Sequence, residues 1–468
     1  MSILVLVLLP LLISPVQATP QAAAIEGDWI GTLAAGGANL RLAFHVTRDA
    51  AGQLAATMDS LDQGAIGLKI ETVTVNGDVV RFELKAPPAS FEGRLSADRS
   101  QIDGAWIQGG SSLPLVLKRG TAEAPKRPQE PKRPYPYNDE EVTYRNTAAG
   151  ITLAGTLTLP RATSPAPAVV LITGSGPEDR NETVFGHKPF LVLADHLTRN
   201  GIAVLRVDDR GVGGSSGKTN EGTSEDFAGD VQAGIDYLKT RKEIDPKRIG
   251  LVGHSEGGLI APIVATRSSD VAFIVLMAGP GLPGDEILYL QAAAIAKAGG
   301  AVDAQVSANR ALQEQVFRVV KEEQDPAAAS ARLRQLRDQI LSSVPEPQKA
   351  AASRMLDSQM AAVSTPWFRY FLSYDPRPAL SKVKCPVLAI IGERDLQVPY
   401  ERNLEAIGAA LKTGGNTSVT LVHLPGLNHL FQTATTGSPS EYTRIEETMS
   451  PAALDAITEW IQKVAGSR

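Results

Sequence analysis

The rhythm of apolar and polar positions changes twice along the chain. Over residues 26–119 short stretches alternate apolar with polar: 40–46, 70–75, 79–84 and 113–117, separated by turn signals such as Asn76-Gly77-Asp78. A period of two turns one strand face toward a core, and several short strands at this spacing predict a small antiparallel all-β domain, a sandwich or a barrel. From about residue 141 the apolar runs become continuous, at 168–173, 202–207, 249–253, 273–278, 387–392 and 419–424. Helical patterns fall between or after them, at 190–199, 225–241, 257–266, 402–411 and 451–464. Continuously apolar strands separated by helices predict an α/β fold: a mostly parallel sheet with helices on both faces. Between Pro283 and Pro378 only the helical period remains. Leu312, Val316 and Val320 share one face there, and Leu333, Leu336 and Ile340 another. This block predicts an inserted helical cap over 283–378. It closes on Trp367, Phe368, Tyr370 and Phe371, which either hold the cap to the sheet or, for one or two of them, line a pocket.

With 468 residues the chain exceeds what one core usually holds, which agrees with two domains. The expected division is a β-rich domain over 25–120, a linker over 121–140 and an α/β domain over 141–468. The linker repeats Pro-Lys-Arg-Pro twice, and its prolines favour an extended, solvated spacer. Apolar content of 43% and charged content of 21% are those of a soluble globular protein. A net charge of −5, with no basic patch interleaved with aromatics, argues against a nucleic-acid partner. Residues 1–13 are apolar and lead to Val16-Gln17-Ala18, which reads as a signal peptide over 1–18 and predicts export to the periplasm or beyond. The first residues lack Lys and Arg, so an uncleaved anchor is the alternative. No later segment is apolar and long enough to span a bilayer, so no stable membrane insertion is expected after cleavage. Cys385, the single cysteine, opens an apolar strand and reads as a structural thiol.

Chemistry enters at Gly253-His254-Ser255-Glu256-Gly257. An apolar strand precedes it and a helical pattern follows, so serine sits at the tip of a strand–turn–helix, where a nucleophile elbow needs it. The plain alternative is a tight glycine turn with an idle serine. A serine hydroxyl becomes a useful nucleophile when a base takes its proton and a carboxylate orients that base. Six histidines are available. His45 lies in the β-rich domain, His196 inside a helix, and His254 beside the serine and aimed wrongly for a base. His423 lies within a strand. His429 follows that strand in a loop, where a base belongs; His423 and His187 are the alternatives. Asp395, in the loop after strand 387–392, is the expected carboxylate. Its rival Glu393 reads more simply as an ion pair with Arg394. The oxyanion requires two N–H donors: one from Glu256, the residue after the nucleophile, and one from the Thr173-Gly174-Ser175-Gly176-Pro177 loop, where Ser175 is preferred to Gly176.

Two decoys fall away. Residues 212–219 resemble a phosphate-binding loop, but Val212 stands where its first glycine belongs. No histidine pair has metal-ligand spacing, so neither metal nor cofactor is expected. Asp208 and Arg210 read as residues that fix a loop near the site.

As a set, Thr173 to Arg180, Gly186-His187-Lys188-Pro189-Phe190, Asp208-Asp209-Arg210-Gly211-Val212-Gly213, the Ser255 elbow with Gly258, Gly392-Glu393-Arg394-Asp395 and Leu427-Asn428-His429 resemble the α/β-hydrolase superfamily, and within it the two-domain bacterial serine esterases. Gly27-Asp28-Trp29 has a faint likeness to the opening of lipocalin-like barrels. The hydrolase resemblance covers residues 125–468 and implies hydrolysis of carboxylic esters, usually short-chain, with a small-molecule ester as partner. Related families include aminopeptidases. A serine peptidase or amidase is therefore the second reading, with Glu256, Glu178 and Asp179 as candidates to hold a substrate amine. A non-catalytic binding protein on the same scaffold is the third.

Overall fold

Alternation in the first part of the chain closes a barrel. The computed structural model describes residues 25–466 apart from 36–37, 50, 64, 86–87, 110, 122–125 and 162–163, and the chain divides into two units between residues 124 and 125. The expected leader, residues 1–18, lies outside the described residues. The first unit runs β1 (Gly27–Ala35), β2 (Ala38–Arg48), β3 (Leu54–Ser60), β4 (Ala65–Asn76), β5 (Val79–Lys85), β6 (Pro88–Leu95), β7 (Gln101–Gln108) and β8 (Ser111–Arg119). Each strand pairs with the next, and β8 returns to β1 at Trp29↔Arg119 and Ile30↔Lys118. Closure removes both sheet edges. In β5, Val80, Phe82 and Leu84 are buried while Arg81 is exposed, as a period of two requires. Phe44, Phe82, Phe91 and Trp106 fill the interior; the Phe44 and Phe82 rings stack at 5.0 Å. Trp29 and Trp106 are both core residues. The Arg119 guanidinium lies 4.4 Å over the Trp29 ring and donates to the Glu26 carbonyl, which fastens the seam.

The second unit holds an eight-stranded sheet of β9 (Asn138–Asn146), β10 (Ile151–Leu159), β11 (Ala166–Ile172), β12 (Ala203–Val207), β13 (Ile244–His254), β14 (Phe273–Met277), β15 (Val387–Gly392) and β16 (Val419–Leu424), in the order β16-β15-β14-β13-β11-β12-β10-β9. Pairing is parallel from β12 through β16 and antiparallel at β10. Its helices are α1 (Pro189–Arg199), α2 (Ser224–Lys239), α3 (Glu256–Ala265), α4 (Gly284–Ala298), α5 (Asp303–Glu322), α6 (Pro326–Ser342), α7 (Glu346–Val363), α8 (Pro366–Ser373), α9 (Arg377–Leu380), α10 (Tyr400–Thr413) and α11 (Pro451–Gly466). Neighbouring residues of a strand feed different cores. Val170, Leu251, Ile274 and Ala389 join the cluster that holds residues of α2, α3 and α10. Val169, Val252, Val275 and Leu388 join the one that holds residues of α1 and α11. The central strands are therefore buried on both faces, and their apolar runs are unbroken for that reason. The hairpin β9–β10 is absent from the strands expected above. In β9 the buried positions are Val142, Tyr144 and Asn146, with polar residues between them, so no apolar run marks it.

Helices α4 to α9 form the insertion. A core of Val316, Phe317, Val320, Leu333 and Leu372 holds part of it together. The Pro-rich segment departs from expectation. Rather than a free spacer, its described part is strapped to the second unit: Arg127 donates to the carbonyls of Phe185, Gly186, Thr443 and Ile445 at 2.9–3.2 Å. Gln129 adds bonds to the backbone at Thr448 and Met449, and Lys188 pairs with Glu130. Composition sets the backbone stiffness of such a segment, but a planar guanidinium with five donors can still find fixed carbonyls.

Candidate active site

Ser255 occupies the turn between β13 and α3 with φ 52° and ψ −115°. That conformation is strained for a side-chain-bearing residue and persists only when its surroundings hold it. Here the Ser255 amide donates to the Met277 carbonyl and the Ser255 carbonyl accepts from Gly258. The neighbouring glycines allow the close approach: a Cβ on Gly253 would meet the Gly257 carbonyl oxygen at 2.0 Å, and one on Gly257 the Ile172 carbonyl oxygen at 2.2 Å.

Asp395 and His429 lie beyond the carboxyl ends of β15 and β16, the edge of a parallel sheet where ligands bind. Their side chains meet at 2.8 Å, His429 Nδ1 to Asp395 Oδ2, and both are buried. The other Asp395 oxygen accepts from the amides of Gln397 and Val398 at 2.8 Å each. A carboxylate so fixed holds Nδ1 as the protonated nitrogen and leaves Nε2 to act on a serine. Ser255, His429, Ser175 and Glu256 line one cavity of about 320 Å³. Among the described residues the amides of Ser175 and Glu256 donate to no protein acceptor. Apolar side chains complete the wall: Ile287, Leu288, Trp367, Phe371, Val398 and Leu430.

The other candidates go elsewhere. His187 is buried against Thr448, the Tyr442 carbonyl and Gln432, and burial pushes it down to about 4. It supports the turn that carries His429. His423 is exposed and stacks on Tyr400 at 5.1 Å. Glu393 does not pair with Arg394. Its carboxylate accepts from the Gly426 amide, and Arg394 turns to the Ala434 carbonyl. Asp179 caps its own turn through Asn181 and Thr183 and is absent from the cavity wall. Asp208 holds the Arg180 guanidinium with two bonds and its amide with a third, and Arg210 pairs with Asp230, both fixing loops. Of the closing aromatics, Trp367 and Phe371 reach the cavity, Phe368 packs in the cap, and Tyr370 bonds to Glu225.

The structure adds a buried pair to which the sequence pattern gives no part. His254 is buried, with Nδ1 2.8 Å from Glu182 Oε1 and Nε2 2.9 Å from the His429 carbonyl oxygen. Both ring nitrogens face oxygen acceptors, so both carry protons and the ring is an imidazolium. Burial opposes that charge, but Glu182 outweighs it and the pKa is raised to about 9. The same Glu182 oxygen accepts from the Gly174 amide at 3.0 Å. The pair thus joins the loop before Ser175 to the backbone of His429. The Gly-x-Ser-x-Gly pattern leaves its second residue open, and Glu182 sits in a loop without periodicity, so only the acidic content of 178–182 hinted at it.

Further buried acids lie in or next to the cavity. Burial, then the Glu182 and Asp209 carboxylates, push Glu178 up to about 8. Asp209, bonded to Thr173 and the Glu178 amide, is pushed up to about 7 by burial. Burial also raises Glu256, against hydrogen bonds from Ser224, Trp367 and Ser175. Such clusters concentrate at functional sites.

The family model Hydrolase_4, described as serine aminopeptidase, S33, matches residues 188–433, just over half of the chain. The protein belongs to this family. It is a serine hydrolase of α/β-hydrolase fold. Over 387 residues it is 24% identical to Esterase EstD of Thermotoga maritima, covering 82% of this chain and 80% of that one. A shorter stretch of 83 residues is 32% identical to the uncharacterized protein Rv2307c of Mycobacterium tuberculosis, covering 18% and 28%. Among solved structures, the esterase PF2001 of Pyrococcus furiosus aligns over 70% of this chain and 91% of its own at 18% identity and a TM-score of 0.41. The α/β-hydrolase GrgF of a Penicillium species aligns over 71% and 99% at 16% identity and 0.44.

Proposed function

We propose that the hydrolase cleaves carboxylic esters of short acyl chains through Ser255, His429 and Asp395. Ser255 Oγ attacks the acyl carbonyl as His429 Nε2 takes its proton. The amides of Ser175 and Glu256 receive the negative oxygen. His429 then passes the proton to the departing alcohol, and water releases the acid from the acyl-enzyme by the same steps. Asp395 holds the imidazole and balances its charge.

The observation that carries ester over amide is the state of the cavity's carboxylates. A peptidase of this kind holds its substrate amine with an ionised acid. Here Glu182 is neutralised by His254, Glu256 is occupied by Ser224 and Trp367, and Glu178, at about 8, is mostly protonated at neutral pH. Ile287, Leu288, Trp367, Phe371, Val398 and Leu430 give the wall an apolar side that suits an acyl chain. The likeness to EstD supports the same reading. We further propose export, on residues 1–18 alone.

The test is hydrolysis of p-nitrophenyl butyrate by the wild type and by Ser255→Ala, beside an amino-acyl anilide. We expect Ser255→Ala to lose roughly 10⁶-fold in kcat, and the wild type to favour the ester. Wild-type turnover by Ser255→Ala sinks the mechanism; preference for the anilide sinks the substrate class.

A further inference from the structure

The carboxylate of Glu256 has a second task. While its amide faces the oxyanion position, its buried side chain accepts two bonds from the Trp367 indole N–H, at 2.8 and 2.9 Å, and one from Ser224 Oγ at 2.5 Å. Trp367 stands at the start of α8 in the cap. Its ring stacks on Phe371 at 5.3 Å and 20° and meets Phe368 edge-on. The indole is therefore held on three sides.

Trp367 and Ser175 are also the two residues shared by the catalytic cavity and a second space of about 520 Å³. That groove is lined by Gly176, Pro177, Phe227 and the 217–220 loop. This loop belongs to the stretch that resembled a phosphate-binding loop and to which the reaction assigns no part. Neither Ser255 nor His429 lines the groove. The departing oxygen must lie against His429, which protonates it and does not line the groove, so the acyl side is the part of the substrate we assign to it. The groove adjoins the cavity at Ser175, in the loop proposed to hold the oxyanion, and at Trp367.

We infer that Trp367, pinned by the Glu256 carboxylate, is the wall that ends the acyl pocket and limits acyl length, and that the groove beyond it is a closed-off extension of the acyl site suited to longer straight-chain acyl groups. This rests on the ester reading above. Removing the indole joins the two spaces. A methylene accommodated in an apolar pocket is worth roughly tenfold or more in discrimination.

The experiment compares kcat/KM for p-nitrophenyl butyrate and octanoate in the wild type, Trp367→Ala and Trp367→Phe. The readout is the octanoate-to-butyrate ratio within each protein, so a loss of folded enzyme cancels. We expect Trp367→Ala to raise the ratio at least about tenfold. Trp367→Phe, which keeps the stack on Phe371 but has no N–H for Glu256, should fall between. In parallel, calorimetry measures octanoate binding to Ser255→Ala with and without Trp367→Ala. The double variant should bind octanoate at least about tenfold more tightly. An unchanged ratio, with ester turnover intact, overturns the wall. Absence of ester turnover in the wild type overturns the proposed function instead, and octanoate binding alone then decides the wall: tighter binding upholds it and equal binding removes it.

Discussion

Two of the histidines, one in each unit, sit against aspartates at nearly the same distance. In the barrel, His45 Nδ1 lies 2.7 Å from Asp28, and its other nitrogen 3.0 Å from Asp59. In the hydrolase unit, His429 Nδ1 lies 2.8 Å from Asp395. The difference is in what surrounds them. The His45 and Asp28 side chains keep 34% and 39% of their surface exposed, and those of His429 and Asp395 keep 5% and 0%. His45 spends both nitrogens on carboxylates, whereas the His429 Nε2 is left to a cavity that also holds Ser255. The same contrast holds across the two units. Among the described residues the barrel buries Ser60 as its polar side chain. The hydrolase unit buries Glu182, Arg206, Asp208, His254, Glu256 and Asp395. Burying charge is costly unless it is paired. Three of these residues, Glu182, His254 and Glu256, line the cavity that holds Ser255.

Substitutions at the two pairs test this contrast. Asp395→Asn should lower kcat on the butyrate ester by about 10⁴-fold, since the amide favours the wrong tautomer of His429; a loss under about tenfold would place the carboxylate outside the chemistry. Next in size is Glu182→Gln. It keeps an acceptor for the Gly174 amide but strands the His254 charge, and breaking a buried pair costs about 3 kcal/mol. Urea unfolding should show that loss, and kcat should fall as well, because the pair holds the Gly174 amide and the His429 backbone in place. Unchanged stability would mean that the pair is not ionised. A smaller effect is expected from pH. Glu178, ordinarily at 4.5, is raised to about 8. The folded state then binds the extra proton, so this contribution is fully present below about 4.5 and is lost as pH rises through about 8. His254, raised to about 9, acts in the same direction from about 6.5 upward. The urea midpoint should therefore fall on going alkaline, and Glu178→Gln should flatten the fall; equal slopes refute the assignment. Smallest of all, Asp28→Asn should cost under about 1 kcal/mol, as exposed pairs do, and leave kcat within about twofold. A large loss there would erase the contrast between the two histidines.

The sequence carried the sheet where burial was two-sided, because only then do apolar residues run together, as in 387–392. It carried Ser255, Asp395 and His429 as candidates because each follows such a run in a short polar loop, and the structure gathers them at one edge. It carried little of β9, whose alternate positions face water. It carried little of the His254–Glu182 pair, whose members are 72 residues apart and obey no period. The barrel's closure was equally hidden, since Trp29 meets Arg119 across almost the whole domain.

Arg127 bears on how such a chain can change over generations. Its four carbonyl partners flank His187 on one side and follow the His429 turn on the other, and all four are fixed by folded structure. A residue gained or lost ahead of Lys126 falls outside this strap. One gained or lost just after Arg127 shifts the guanidinium against four immovable acceptors. The border at which a different leading domain could be spliced onto this hydrolase therefore lies before Lys126, well ahead of residue 141, where the apolar pattern alone would draw it.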